Sequence, residues 1–299
     1  MTVPEVIASL VKYGCTDVTS SLDLEKCDER RTEACTSGDL YHGVFRDGLQ
    51  VPLKCLDIRL SPSEGKEQLE HAADELLAWS KCVHPNAVPL IGVAQYGNQL
   101  AMVSPWMQNG SLRQYLSTQS PSQAKRLKLG AEIANGLSYL HKSGLPHEVL
   151  RARNIFASAD GTPVIAEFGA SILKKNSTQA RTLSSSMTHL FAGWSAPKVL
   201  SGKDIQPTMT DVWAVGTTAL EIFEGSVPYV GLRDTEAYRK INQNIFPERP
   251  EKGLPTGDNQ ADLIWSLLNQ CWALDPSSRP TAADVRDQML EIGSYPVEH

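Results

Sequence analysis

The feature that most constrains this chain is a change of hydrophobic period about a third of the way along it. Before residue 107 the apolar residues fall in short runs. LYHGVF and LQVPLKCLDI flank Arg46-Asp47-Gly48, and Asp-Gly between two apolar runs predicts a β-hairpin. Two further strand candidates, AVPLIGVAQ and LAMVSPW, are separated by Tyr96-Gly97-Asn98-Gln99. Between the two pairs lies one helix, Ser61 to Lys81. Ser61 caps it, Pro62 takes its first position, and Leu69, Ala72, Ala73, Leu76, Leu77 and Trp79 give its period. After residue 107 the period is helical. Leu127, Leu129, Ile133, Ala134, Leu137 and Leu140 predict a long buried helix over Ser122 to His141. Thr210 to Phe223, Thr235 to Asn244, Asp262 to Trp272 and Thr281 to Gly293 are read as further helices.

The fold class expected is α+β: a small β-rich lobe with one helix, followed by a larger helical lobe. Residues 1–26 are set apart as a leader. In it Val6, Ile7, Leu10 and Val11 predict a short helix packed on its own domain, with a partner-binding helix as the alternative. Ala170 to Ser195 is rich in Ser and Thr without periodicity. A loop of that length in a compact domain usually has a functional reason.

Charge and cysteine usage narrow the class of function. With 28 Lys and Arg against 34 Asp and Glu, the formal charge is −6, which disfavours a nucleic-acid binder. The uncharged stretch Val83 to Leu112 contains His84, Pro85, Asn86, Pro89, Gln95, Asn98, Gln99 and Asn109, so no membrane span is expected. The first residues hold Glu5 and no basic run, which argues against a secretory signal. Cys15, Cys27, Cys35, Cys55, Cys82 and Cys271 are scattered without a CxxC pair, so neither a zinc site nor a disulfide framework is expected. A cytoplasmic, reducing compartment follows as the expectation. His42, His71, His84, His141 and His189 show no metal-ligand spacing and are read as surface or packing residues.

The order of short motifs carries more. Val51-Pro52-Leu53-Lys54 lies on a strand and Glu75 on the helix after it. Then come His147-Glu148-Val149-Leu150-Arg151-Ala152-Arg153-Asn154, Glu167-Phe168-Gly169, Ala196-Pro197-Lys198, Asp211-Val212-Trp213 and Arg279. In this order and spacing the chain, from about residue 27 to 294, resembles a protein kinase domain, which implies a bilobal fold. On that resemblance 27–107 is the N-lobe, 108–294 the C-lobe and 295–299 a tail. WSKCVHPNAVPLIGV, VSPWMQNGSLRQYL and CWALDPSSRPTAADV are most similar to the tyrosine-kinase-like group, especially the set expanded in mushroom-forming fungi.

The resemblance also shows which parts are altered. The family's GxGxxG loop aligns with Glu33-Ala34-Cys35-Thr36-Ser37-Gly38, where only Gly38 remains, so a plain hairpin is expected. Lys54 and Glu75 match the nucleotide-contacting lysine and its helix partner. The carboxylate that orients the acceptor hydroxyl in HRDLAARN is replaced by Val149, which has no proton acceptor, and losing one general base costs ~10²–10⁴ in rate. The family's metal-binding Asp becomes Glu167, which displaces the carboxylate by ~1.5 Å. Mg²⁺ demands near-ideal geometry at ~2.0–2.1 Å. Asn154 keeps the second metal position, with a backbone-bonding amide as its other reading. Leu40, Pro52 and Phe156 are bulkier than the family residues around adenine and should narrow its slot. Ser104, Trp106 and Met107 complete the set that a nucleotide would touch.

His147, Phe168, Asp211 and Arg279 are assigned structural roles, Asp211 bracing the catalytic loop through backbone N–H groups. Lys198 stands where the family has the Glu that pairs with the Arg matched by Arg279, a charge reversal. Thr182, Ser184, Ser185, Ser186 and Thr188 are candidate phosphorylation sites. The resemblance thus implies a pseudokinase that scaffolds or regulates a protein partner, such as an active kinase, without a required cofactor. The alternative is a weakly active Ser/Thr kinase of the tyrosine-kinase-like type that binds ATP and Mg²⁺.

Overall fold

The structure is a computed structural model, and it describes residues 2–28, 33–35, 38–56, 76–77, 79–166, 192–197 and 206–295. The chain divides into two compact units. One runs up to Trp106; the other takes Met107–Ala166 and the described residues from 192 onward.

The first unit is built on a five-stranded antiparallel sheet of order β1-β2-β3-β5-β4: β1 Glu33–Cys35, β2 Gly38–Val44, β3 Gln50–Leu56, β4 Gly92–Tyr96 and β5 Gln99–Val103. The predicted Asp-Gly turn closes the β2–β3 hairpin. Gly48 has φ +91°, a value that glycine adopts without steric cost, and Asp47 Oδ1 accepts from the Leu49 amide at 2.9 Å. Val51, Leu53, Cys55, Ala94, Ala101 and Val103 form the buried face. β4 starts later than its apolar run predicted, at Gly92 instead of near Ala87, because Pro89 supplies no ladder N–H. β5 ends at Val103, two residues before Pro105.

Residues 2–28 belong to this unit and send several side chains into its core. Helix α1, Val3–Lys12, buries Val6, Ile7 and Leu10, while Val11 is exposed. The chain then runs beside β4: Val93 donates to the Thr16 carbonyl at 2.8 Å, and Val18 donates to the Val93 carbonyl at 2.9 Å. Only a glycine at position 92 permits this approach, since a Cβ there would lie within 2.4 Å of the Thr16 oxygen. Leu22 and Val18 complete the core beneath.

The second unit holds α2 Leu112–Gln119, α3 Gln123–Lys142, the two-stranded sheet β6 Ile155–Ala157 and β7 Pro163–Ile165, α4 Pro207–Glu224, α5 Asp234–Asn242, α6 Asn259–Cys271 and α7 Ala282–Ser294. Ser111, Ser122, Asp258 and Thr281 cap α2, α3, α6 and α7 through side-chain oxygens that accept backbone N–H groups. α4 begins three residues before Thr210 because Pro207 fits its first turn, and α6 begins three residues before Asp262 because Asp258 caps it. α5 stops two residues short of Asn244. Helix α4 is buried from Asp211 to Phe223 and forms the centre of the unit. α3 packs along α7, where Gly130 leaves room for the Met289 thioether.

Two elements escape the sequence reading. The β6–β7 hairpin turns at Asp160-Gly161 inside a region read as mainly helical, and α2 lies in a segment read only for its likeness to kinases. The sheet-bearing first unit and helical second unit are the α+β architecture that the sequence predicts.

Candidate functional site

Asp211 organises the loop of residues 147–154. Its carboxylate is fully buried near the start of α4. Oδ2 accepts from the His147 amide at 2.7 Å and Oδ1 from the Glu148 amide at 2.6 Å. His141 at the end of α3 adds a contact from Nε2 at 2.9 Å. A buried carboxylate needs such donors, and it fixes two successive peptide planes of the loop. The backbone turns sharply there: Glu148 has φ +67°, a left-handed conformation that costs a non-glycine residue roughly 1 kcal/mol or more. His147 is fully buried and stitches the loop to β7. Nε2 donates to the Ala166 carbonyl at 2.8 Å, while Nδ1 accepts from the Val149 amide at 3.3 Å, which assigns the neutral Nε2–H tautomer.

Val149 points an aliphatic side chain into a buried position, 8% exposed. Its carbonyl is taken by the Asn154 side chain, Nδ2 donating at 2.8 Å. The other end of that amide, Oδ1, accepts from Arg151 Nε at 3.3 Å. A carbonyl on one side and a guanidinium on the other fix which end of the amide is oxygen. A divalent cation at that oxygen would share it with a guanidinium nitrogen and be repelled by its charge. Glu167, the other residue that the metal reading needs, lies outside the described residues. Among the described residues no group of three or more His, Cys, Asp or Glu is arranged to hold a metal ion.

A second buried acid anchors the other side of the loop. Glu221, on α4 and 4% exposed, accepts at Oε1 from the Ala152 amide at 3.0 Å and from the Trp194 indole N–H at 2.6 Å. Burial lifts its carboxyl to about 7, against the pull of those two donors and of Arg113 and Arg151. Arg151 also lies over the Trp194 ring, its guanidinium carbon 5.8 Å from the ring centre.

Arg279 sits deeper in the same unit, 5% exposed. Nε donates to the Ala273 carbonyl at 2.9 Å, Nη1 to the Met209 carbonyl at 2.7 Å, and the guanidinium stacks 5.1 Å from the Trp213 ring centre. Its buried Nη2 has no acceptor among the described residues. Burial lowers the guanidinium to about 10.

In the first unit Lys54 is buried on β3, opposite Leu40 on β2 and Met102 on β5. Pro52 pairs with His42 on β2. The His42 carbonyl turns away to accept from Asp28, and the β3–β5 ladder begins only at Leu53, so the ring meets no ladder position that needs its N–H. Gly38 pairs with Cys35 in the antiparallel β1–β2 ladder. Trp106 stacks edge-on against His42 at 5.1 Å, and Ser104 lies in the segment just after β5. In the second unit Met107 accepts from the Gly110 amide, and Phe156 is half-buried on β6. Glu75, Glu167, Phe168, Thr182, Ser184, Ser185, Ser186, Thr188 and Lys198 lie outside the described residues.

Three residues of this network were not singled out as site residues in the sequence: Glu221, Trp194 and His141. Glu221 carries a signal, as an acid inside an otherwise apolar helical run. His141, read there as a surface or packing residue, is a contact of Asp211 instead, and nothing local announces a partner 70 residues away.

Comparison with known proteins agrees with this architecture. Residues 30–289 match the family model described as protein tyrosine and serine/threonine kinase. The chain is 27% identical over 260 residues to the tyrosine-protein kinase Btk of Drosophila melanogaster, covering 85% of this chain and 31% of that protein. It is 28% identical over 265 residues to the mitogen-activated protein kinase kinase kinase 1 of Arabidopsis thaliana, covering 86% and 41%. The serine/threonine/tyrosine-protein kinase HT1 of the same plant is 27% identical over 251 residues, covering 82% and 61%. The chain thus spans less than two thirds of the length of these relatives. No helix among the described residues is long and apolar enough to cross a membrane.

Proposed function

Because the chain belongs to the protein tyrosine and serine/threonine kinase family, we propose that it is a pseudokinase, of the tyrosine-kinase-like kind, serving as a cytoplasmic signalling scaffold or a regulator of an active kinase. The observation that carries the reading is Val149. Phosphoryl transfer needs a carboxylate to orient the acceptor hydroxyl, and a buried isopropyl group stands at that position, its own carbonyl occupied by Asn154. Asn154 is engaged at both ends of its amide, which also supports a site without bound Mg²⁺. The buried contacts of Asp211, His147 and Glu221 hold the loop in place, as a binding surface requires whether or not chemistry occurs.

Lys54 supports a second reading, a weakly active Ser/Thr kinase that binds ATP, because a buried lysine on β3 is retained at the nucleotide-contacting position. The two readings part in a thermal-shift measurement. Binding to the folded form must raise its stability, so ATP with Mg²⁺ is expected to leave the melting temperature unchanged. Substrate labelling from γ-labelled ATP, lost in Lys54→Met, would overturn the pseudokinase reading. Phosphorylation by a kinase partner at Thr182, Ser184, Ser185, Ser186 or Thr188 belongs to the same proposal. Mass spectrometry of the protein from its native host that found these five residues unmodified would remove that part of it.

A further inference from the structure

Glu221 joins two segments that are far apart in sequence. One oxygen, Oε1, holds both the Ala152 amide of the loop and the Trp194 indole of the turn before Ala196-Pro197. Helix α4 supplies a rigid base, since its neighbours Leu220 and Ile222 are fully buried. These two hydrogen bonds therefore share a single acceptor whose strength depends on charge. A charge-assisted hydrogen bond is roughly twice as strong as a neutral one.

We infer that Glu221 is a proton-operated latch. Remaining buried on α4 in both states, it clasps the Trp194 turn to the Ala152 loop as an anion, whose charge both donors favour, and relaxes that clasp as a neutral acid. The charged groups acting on it are Arg113 from α2 and Arg151 from the loop. α3 contributes Arg126, whose guanidinium is committed to the neighbouring Ile222 carbonyl. The turn of 192–194 brings the indole and no ionisable group. The buried face of α6, which packs on α4, carries Leu267, Leu268 and Cys271, none of them charged near neutral pH. Ionisation of Glu221 thus meets two arginines, and its loss leaves both without that counter-charge. Burial places the change near neutrality. The latch does not depend on whether the domain transfers phosphate.

The test uses the full chain and the emission of Trp194, isolated as the difference between wild type and Trp194→Phe, from pH 5.5 to 8.5. An indole beside a neutral carboxyl differs in emission from one beside a carboxylate. The expected result is one transition centred near pH 7 that is absent in Glu221→Gln. A flat difference signal, or a transition that persists in Glu221→Gln, overturns the latch. Should Glu221→Gln fail to fold, Arg113→Glu decides, because Arg113 is exposed on α2. Reversing that charge must move the midpoint up, by roughly half a pH unit or more. A midpoint that stays where it was overturns the proposal.

Discussion

The side-chain amide of Asn154 donates to the backbone carbonyl of Val149 across 2.8 Å and so closes the loop between these two residues. Both ends of the Asn154 amide are thereby engaged within the loop. This gives the first prediction. Val149→Asp will not restore phosphoryl transfer, because Asn154 stays tied and Glu167 is unchanged. It will lower stability by about 1–3 kcal/mol, since it places a carboxyl in a buried apolar position. Urea unfolding and a γ-labelled ATP assay check both halves; labelling by this single variant would contradict the reading.

Asp211→Ala removes the acceptor of the His147 and Glu148 amides and the contact of His141. Two backbone N–H groups lose their partner, the first of them on a fully buried residue. At ~1–3 kcal/mol per unsatisfied group, the cost is expected to be about 2–6 kcal/mol. A loss under about 1 kcal/mol by chemical denaturation would show that Asp211 is not the brace.

The pH dependence of stability follows from Glu221. Its folded-state carboxyl is raised from 4.5 to about 7, so the folded protein binds the proton more tightly than the unfolded chain does. The stabilisation is fully present below about pH 4.5, declines as pH rises, and is gone above about 7. The span is on the order of 3 kcal/mol at most. Glu221→Gln is expected to flatten this part of the curve. An unchanged slope between those pH values in the variant would refute the assignment.

Gly92→Ala tests how the N-terminal segment is held. The added methyl would meet the Thr16 carbonyl at 2.4 Å and Val18 at 2.9 Å, and the carbonyl cannot swing aside as a flexible side chain would. Separation of residues 16–18 from β4 should cost roughly 1–3 kcal/mol. The sign to look for is faster amide exchange at Val18 and Val93; unchanged protection at both would mean the segment tolerates the methyl.

Arg279 keeps a buried Nη2 without an acceptor among the described residues. The family resemblance places a Glu opposite it where this chain has Lys198. Lys198→Glu is therefore expected to raise stability by about 1–3 kcal/mol, by returning a hydrogen-bonding counter-charge to a desolvated guanidinium. Thermal unfolding decides, and a lower melting temperature would exclude that pairing.

Local physics was legible along the chain. Ser122, Thr281 and the Asp47-Gly48 pair mark boundaries that the structure keeps, because capping and turn chemistry act over three or four residues. The β6–β7 hairpin was not legible, since three-residue strands are too short for a period to show. Pro52 illustrates the middle case: the sequence demands an unpaired position, and only the register of β3 against β2 and β5 supplies one.

By itself the sequence determined the β2–β3 hairpin, the long helices of the second unit and the residue type at each motif position, Val149 among them. Those depend on residue type and on spacing within a few turns. The tertiary structure alone decided which groups meet. Asp211 and His141 touch across 70 residues, and Glu221 reaches Ala152 across 69. Such meetings are set by how α4 is buried among its neighbours. The same burial strips water from Glu221 and turns an ordinary glutamate into an acid that titrates near neutrality.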